Sequence, residues 1–386
     1  MFFYIGKTSP LQSLTKTHNE LYLDHGWTSE TVNSIPVWYK GYSTDCRLSD
    51  SLNAIIEGYQ PRGKWALIYF KDDKYTICHP ELRGFPLYTN GTDYANVKFD
   101  NVKNVKYNKP KLNVTVDNLS IEDASTIIGD ILLENIADFY KYNDVPRMNV
   151  ISSAGLDTST TWAVFDSFNK DYLLKAHVPN STDATFYDRM GRIRTYESDL
   201  VDKVSNDYWG YEISSFYQDI SWVITGFYAE VIQYRDGEAI NALANYKGLW
   251  IDELCGENDY LYWFLKRENV LARYKNEKLV FANEDELRAY LFDTIFRDYQ
   301  MWHIDNNMMF SPFADIRITE TVHRMSLDDI IENSRNGTIQ RNIIKRFKPE
   351  LLGLVSDFKN EKGVWNNFKQ NFDAIPFDQK TTVLLV

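Results

Sequence analysis

The segment that most restricts how this chain can fold is Met148-Asn149-Val150-Ile151-Ser152, a short apolar run ending in Ser153-Ala154-Gly155. A helix-like stretch follows at once: Leu156-Asp157-Thr158-Ser159-Thr160-Thr161-Trp162. A strand, a turn of small residues and a helix make one βα unit, and small side chains let backbone N–H groups approach an anion at the helix N-terminus. Ser153, Thr158 and Ser159 can add hydroxyl hydrogen bonds. Asp157 beside a phosphate makes sense where it holds a divalent metal that bridges the two. The same residues are equally consistent with an ordinary strand–turn–helix in which Ser and Thr cap the helix. Neither the Gly-Lys-Ser/Thr ending of a Walker loop nor G-x-G-x-x-G is present, which disfavours those two nucleotide-binding classes.

The flanking rhythm indicates an α/β fold. To about Asn113 the chain reads as β-rich: Trp65 to Phe70 and Tyr75 to Cys78 flank the polar Lys71-Asp72-Asp73-Lys74, a hairpin pattern. Asn101 to Lys111, polar and holding Pro110, is the approach to a linker. From Ser120, a predicted N-cap, apolar residues from Ile121 to Phe139 recur at helical spacing. Further strands are expected at Tyr172 to His177 and Leu249 to Asp252, separated by helical patterns, and Leu287 to about Phe372 reads as mostly helical. Strands alternating with helices in this order predict a parallel sheet covered on both faces.

The net charge of -12 argues against general affinity for nucleic acid or an anionic membrane. An acidic protein that binds a polyphosphate must concentrate positive charge locally or recruit a divalent metal. Cys46, Cys78 and Cys255 are widely spaced without a CxxC, so neither a disulfide framework nor a zinc site is expected. With no long apolar stretch and no signal peptide, the chain reads as cytoplasmic.

Ser153 to Ser159 resembles the SGGLDS(S/T) pyrophosphate loop of the ATP pyrophosphatases, in the asparagine synthetase branch, with Ala154 and Thr158 as departures. Weaker likenesses follow in the family's order. Cys255-Gly256-Glu257-Asn258-Asp259 resembles the acidic SGEGSDE segment, Pro312-Phe313-Ala314-Asp315 the Pro-Phe-Leu-Asp stretch, and Pro349-Glu350-Leu351-Leu352 with Lys359 and Lys362 the C-terminal lysine region. Gly63 to Phe70 and Pro80 to Tyr88 are similar to the glutamine-hydrolysing domain. The resemblance implies two units. Residues 1–115 would be a β-rich, degenerate amidotransferase-like domain, and 116–386 a synthetase domain like the adenine-nucleotide α-hydrolases, with a parallel sheet and a helical C-terminal region. It also implies ATP and Mg2+ as ligands. Ser153, Ala154, Gly155, Leu156, Asp157, Thr158 and Ser159 would cradle pyrophosphate, Asp157, Glu257 and Asp259 would hold the metal, and Glu257 with Lys362 or Lys359 would serve catalysis. A homodimer is compatible with the family.

The family's glutaminase uses an N-terminal Cys as nucleophile, but this chain has Phe2, and Trp38-Tyr39-Lys40-Gly41-Tyr42 stands where an Asn-Gly-Glu clamp is expected. A phenyl ring offers no nucleophilic atom. The expectation is therefore an amide-forming ligase with small-molecule or peptide carboxylate and amine substrates, resembling β-lactam synthetases and lasso-peptide cyclases. The alternative is a non-catalytic relative that serves as a nucleotide-binding or assembly partner.

Overall fold

The computed structural model describes residues 2–9, 14–81, 85–96, 99, 101–105, 112, 114–145, 148–152, 155–168, 172–176, 196–197, 222–226, 228–235, 237–255, 261, 270–274, 277–301 and 309–352. The strands before residue 105 are β1 (Phe3–Ile5), β2 (Thr15–His18), β3 (Leu21–Leu23), β4 (Thr28–Val32) and β5 (Ile35–Ser43). They continue with β6 (Gly63–Lys71), β7 (Lys74–Cys78), β8 (Tyr88–Thr89), β9 (Tyr94–Ala95) and β10 (Lys103–Asn104), with helix α1 (Leu48–Ile56) between β5 and β6. They form two antiparallel sheets, β10-β8-β9-β1-β3-β2 and β4-β5-β6-β7.

The predicted hairpin is β6–β7. It closes through Asp72 and Asp73, at φ 51° and 54°, the paired left-handed geometry of a two-residue hairpin turn that Asp tolerates. Strand periodicity then distributes β6 between two cores. Ala66 and Ile68 pack with Phe3 and Leu21 of the facing sheet, with Trp38 of β5 and with Phe85, whereas Trp65 and Leu67 pack with Val37, Leu48, Leu52 and Ile55 beneath α1. The expected linker approach is partly sheet, since Lys103–Asn104 pairs with Tyr88–Thr89.

Helix α2 (Ile121–Tyr142) starts where the sequence predicts, with the Ser120 hydroxyl accepting the Asp123 N–H at 3.1 Å. Its stripe of Ala124, Ile128, Ile131, Leu132, Ile136 and Phe139 is buried. Beyond it come β11 (Met148–Ser152), α3 (Leu156–Asp166), β12 (Tyr172–Ala176), β13 (Tyr196–Glu197), β14 (Trp222–Ile224) and α4 (Gly237–Tyr246). The series ends with α5 (Ile251–Leu254), α6 (Val270–Tyr274), α7 (Glu284–Met301), β15 (Met309–Phe310), α8 (Ile316–His323), α9 (Leu327–Asn336) and α10 (Thr338–Phe347). All strands from β11 onward pair parallel, in the order β13-β12-β11-β14-β15. The molecule is thus a mixed α/β structure with antiparallel sheets early in the chain and a parallel sheet after residue 147.

One strand expectation fails. Leu249 to Asp252 is not a strand: α5 begins at Ile251, where the Glu253 carboxylate accepts the Trp250 N–H at 2.7 Å and fixes a helical turn. Three consecutive apolar residues carry no period, so the cap decides the conformation. The strands beside β11 and β14 are instead β12 and β15, and Phe310 of β15 stacks on Phe139 of α2 at 4.2 Å between centroids. Pro312 to Asp315 plays a packing role. Asp315 caps α8 by accepting the Arg317 N–H at 2.9 Å and pairs with Arg62 at 3.1 Å. Burial raises its pKa, but Arg317 and Arg62 outweigh that and hold the carboxyl below its ordinary range.

Candidate active site

The carboxyl end of β11 lies where the strand order of the parallel sheet reverses. From β11 the chain passes through α3 to β12 on one side, while β14 lies on the other. Loops at such a switch point diverge and leave a crevice at the carboxyl ends of the strands, the usual ligand position in open α/β sheets. Gly155 is the N-cap of α3 and offers no side-chain acceptor to the first turn. The turn after β14 presses closely here. A Cβ on Gly226 would lie 2.6 Å from the Asp157 carbonyl carbon and 2.7 Å from the Thr158 nitrogen, so only glycine allows this approach. Tyr228 follows at φ 70°, a left-handed conformation unusual for an aromatic residue.

Asp157, the second residue of α3, is the centre of a partly buried polar cluster. Arg235 donates to its Oδ2, and Gln340 Nε2 of α10 donates to its Oδ1 at 2.5 Å. Arg235 also pairs with Glu230 at 3.6 Å. Asn333 holds the two contributing segments together, donating to the Ile232 carbonyl at 2.6 Å and accepting the Ile339 N–H at 2.8 Å. Gln233 and Gln340 are fully buried, yet both amide atoms of Gln233 and Oε1 of Gln340 have no hydrogen-bond partner among the described residues. Glu230 keeps 44% of its side-chain surface accessible. Its carboxyl is nevertheless pushed above the ordinary range, first by surrounding protein and next by the Asp157 charge, with Arg235 opposing.

The hydroxyls of α3 turn inward. Thr160 donates to the Leu156 carbonyl at 2.7 Å, Thr161 to that of Asp157 at 3.1 Å and Thr158 to that of Gly155 at 3.3 Å, while Ser159 is fully buried. Ser153, Ala154, Glu257, Asp259, Lys359 and Lys362 lie outside the described residues. The structure therefore brings Gly155, Leu156, Asp157, Thr158 and Ser159 together on the first turn of α3. Among the described residues no group of three or more His, Cys, Asp or Glu side chains is placed to hold a metal ion.

The chain matches no protein-family model and no curated protein.

The donor set suits a polyphosphate: a helix N-terminus whose cap residue, Gly155, contributes no side-chain bond, a guanidinium, and buried amide atoms with hydrogen-bonding capacity to spare. For Mg2+ the fit depends on Asp157 parting from Arg235, since both carboxylate oxygens already accept hydrogen bonds. Sequence reasoning missed Arg235, Gln340, Gln233 and Glu230. One signal was present: Gln340 falls on the apolar stripe Ile339, Ile343, Ile344 of α10, where a polar side chain needs a buried partner. Among the described residues no helix is long and apolar enough to cross a membrane.

Proposed function

We propose that the chain is an ATP-dependent, amide-forming ligase of the asparagine synthetase type that takes its amine from a source other than its own glutamine hydrolysis. Residues 1–115 form its amidotransferase-like part, without the nucleophile, and 116–386 its synthetase part. The observation that carries the reading is the passage from β11 to α3 at the switch point of a parallel sheet, with a guanidinium on Asp157 in the first turn of the helix.

In this reading a substrate carboxylate oxygen attacks the α-phosphorus of ATP. The bond to the bridging oxygen breaks, pyrophosphate leaves, and an amine then displaces AMP from the acyl adenylate. Backbone N–H groups of residues 153–159 hold the departing pyrophosphate. Lys362 or Lys359 offsets the charge that develops on it. Asp157, Glu257 and Asp259 would hold Mg2+, which would supply charge neutralisation on the phosphates. ATP incubated with a panel of carboxylic and amino acids is expected to yield AMP and pyrophosphate, with Asp157→Ala abolishing the yield. Release of ADP and phosphate would rule out this mechanism.

A second reading has one observation in its favour: both Asp157 oxygens are engaged by Arg235 and Gln340. A non-catalytic relative, serving as a nucleotide-binding or assembly partner, can keep such a pair as a fixed structural feature. Calorimetry with ATP and Mg2+ separates the two, because absence of heat at millimolar ligand favours the second.

A further inference from the structure

We propose that Arg235 is a polyphosphate-binding residue held in reserve on Asp157, and that an incoming phosphate oxygen takes the guanidinium from the carboxylate. The inference rests on the reading of the β11–α3 loop as a polyphosphate site, and it names the cation that an acidic chain must supply there.

Three observations carry it. Arg235 has a side chain only 7% exposed, so it is not one of the solvated surface cations, and its carboxylate partner is the second residue of the helix that opens the site. A guanidinium parked on Asp157 is therefore held by a side chain of the first turn of that helix. Arginine keeps its charge when buried and matches phosphate oxygens in a bidentate fork.

Hydrogen bonding around the pair is also incomplete. Gln340 spends its Nε2 on Asp157, and its Oε1 has no partner among the described residues. Neither amide atom of Gln233 has one, although the residue is fully buried beside Gly337 and Leu156. A cluster whose end state was the Arg235–Asp157 pair would be expected to satisfy these atoms, because each buried orphan is costly. A second arrangement of the same side chains, adopted around a ligand, gives them partners.

The third observation is the charge balance. Among the described residues Asp157 and Glu230 face one guanidinium, so the paired carboxylates compete with an anion for Arg235. Asp157 cannot release Arg235 without leaving a carboxylate that wants a new cation. This gives Asp157 and Arg235 opposite effects on an anionic ligand when no metal is present.

The test uses the full chain, inorganic pyrophosphate and a chelator, read by calorimetry. Asp157→Asn keeps the shape, removes the competing charge and is expected to bind pyrophosphate about tenfold tighter than the wild type. Arg235→Gln is expected to bind at least about tenfold weaker, the scale of a charged hydrogen bond, with Arg235→Lys in between. The double variant Arg235→Gln, Asp157→Asn should remain as weak as Arg235→Gln. If Asp157→Asn shows no gain, or the double variant binds as tightly as Asp157→Asn, Arg235 only neutralises Asp157 and the proposal falls. Melting curves accompany each variant, and if Arg235→Gln does not fold, Arg235→Lys and Asp157→Asn still decide. AMP formation is measured separately. The same binding pattern without AMP overturns the ligase reading alone, whereas absence of pyrophosphate binding in both wild type and Asp157→Asn overturns this inference.

Discussion

His323 shows how completely a position in the fold can change a side chain's chemistry. It is 2% exposed, paired through Nε2 with the Tyr234 hydroxyl, and sits under Arg288, which donates to the His323 carbonyl at 2.7 Å. Burial, followed by the Arg288 charge, pushes its pKa from 6.5 down to about 3. The unfolded chain takes up a proton near pH 6.5 and the folded one does not until about pH 3. The stability this neutral histidine contributes is therefore fully present above about 6.5 and is lost as pH falls toward 3, by up to about 1.4 kcal/mol per pH unit. Urea titrations between pH 7 and 4 should show that slope, and His323→Gln should flatten it. An unchanged slope in the variant would mean that other groups carry the acid sensitivity. Arg235 and Gln340 belong to the same scale: each is a buried polar residue, and each is explained by what it touches in space.

At the scale of elements, the β11–α3 unit is determined mostly by local chemistry and the turn beside it by contact. Met148 to Ser152 forms the expected strand and Leu156 begins the expected helix, because apolar burial and a small-residue turn both act over a few residues. Helix α3 is buried on nearly every face, from Ser159 through Phe165. Gly226 lies beyond local reach, since its requirement comes from the Asp157–Thr158 backbone, far away in sequence. Gly226→Ala places a methyl group against backbone that no rotamer can relieve. It is expected to cost about 1–3 kcal/mol by overpacking and to weaken ligand binding at the loop, measured by denaturation and by calorimetry with ATP. A variant as stable as the parent would show that the turn can retreat. The misread segment at Leu249 to Asp252 teaches the same lesson in reverse: its apolar run is neutral between strand and helix, and a single bond from the Trp250 N–H to Glu253 selects the helix.

Across the whole molecule, Tyr42 of β5 joins the early antiparallel sheets to the parallel one. Its ring is 3% exposed and meets Phe139 of α2, Trp222 of β14 and Phe310 of β15 edge-on at 5.2, 5.8 and 5.5 Å. Nearby, Arg62 pairs with Asp45 at 2.6 Å and with Asp315 at 3.1 Å, and Asn143 donates to the Ser43 carbonyl at 2.8 Å. Tyr42→Ala should cost about 3–5 kcal/mol, as for other large-to-small aromatic changes in cores. Faster hydrogen exchange is expected in both β5 and α2. Acceleration confined to β5 would show that the two regions are energetically separate.

By itself, the sequence determined what nearest neighbours along the chain can encode. That includes the Asp72–Asp73 hairpin, the Ser120 cap, the buried stripe of α2, and the strand and helix on either side of Ser153 to Gly155. Those features depend on side-chain period, turn conformation and capping, all set within a turn or two of chain. Only the tertiary structure decided the order β13-β12-β11-β14-β15, which turns the loop after β11 into a switch-point loop. It alone put Arg235 and Gln340 on Asp157, 78 and 183 residues away in sequence. Strand order and charge pairing are settled by which surfaces meet when the sheet closes, and no local period carries that information.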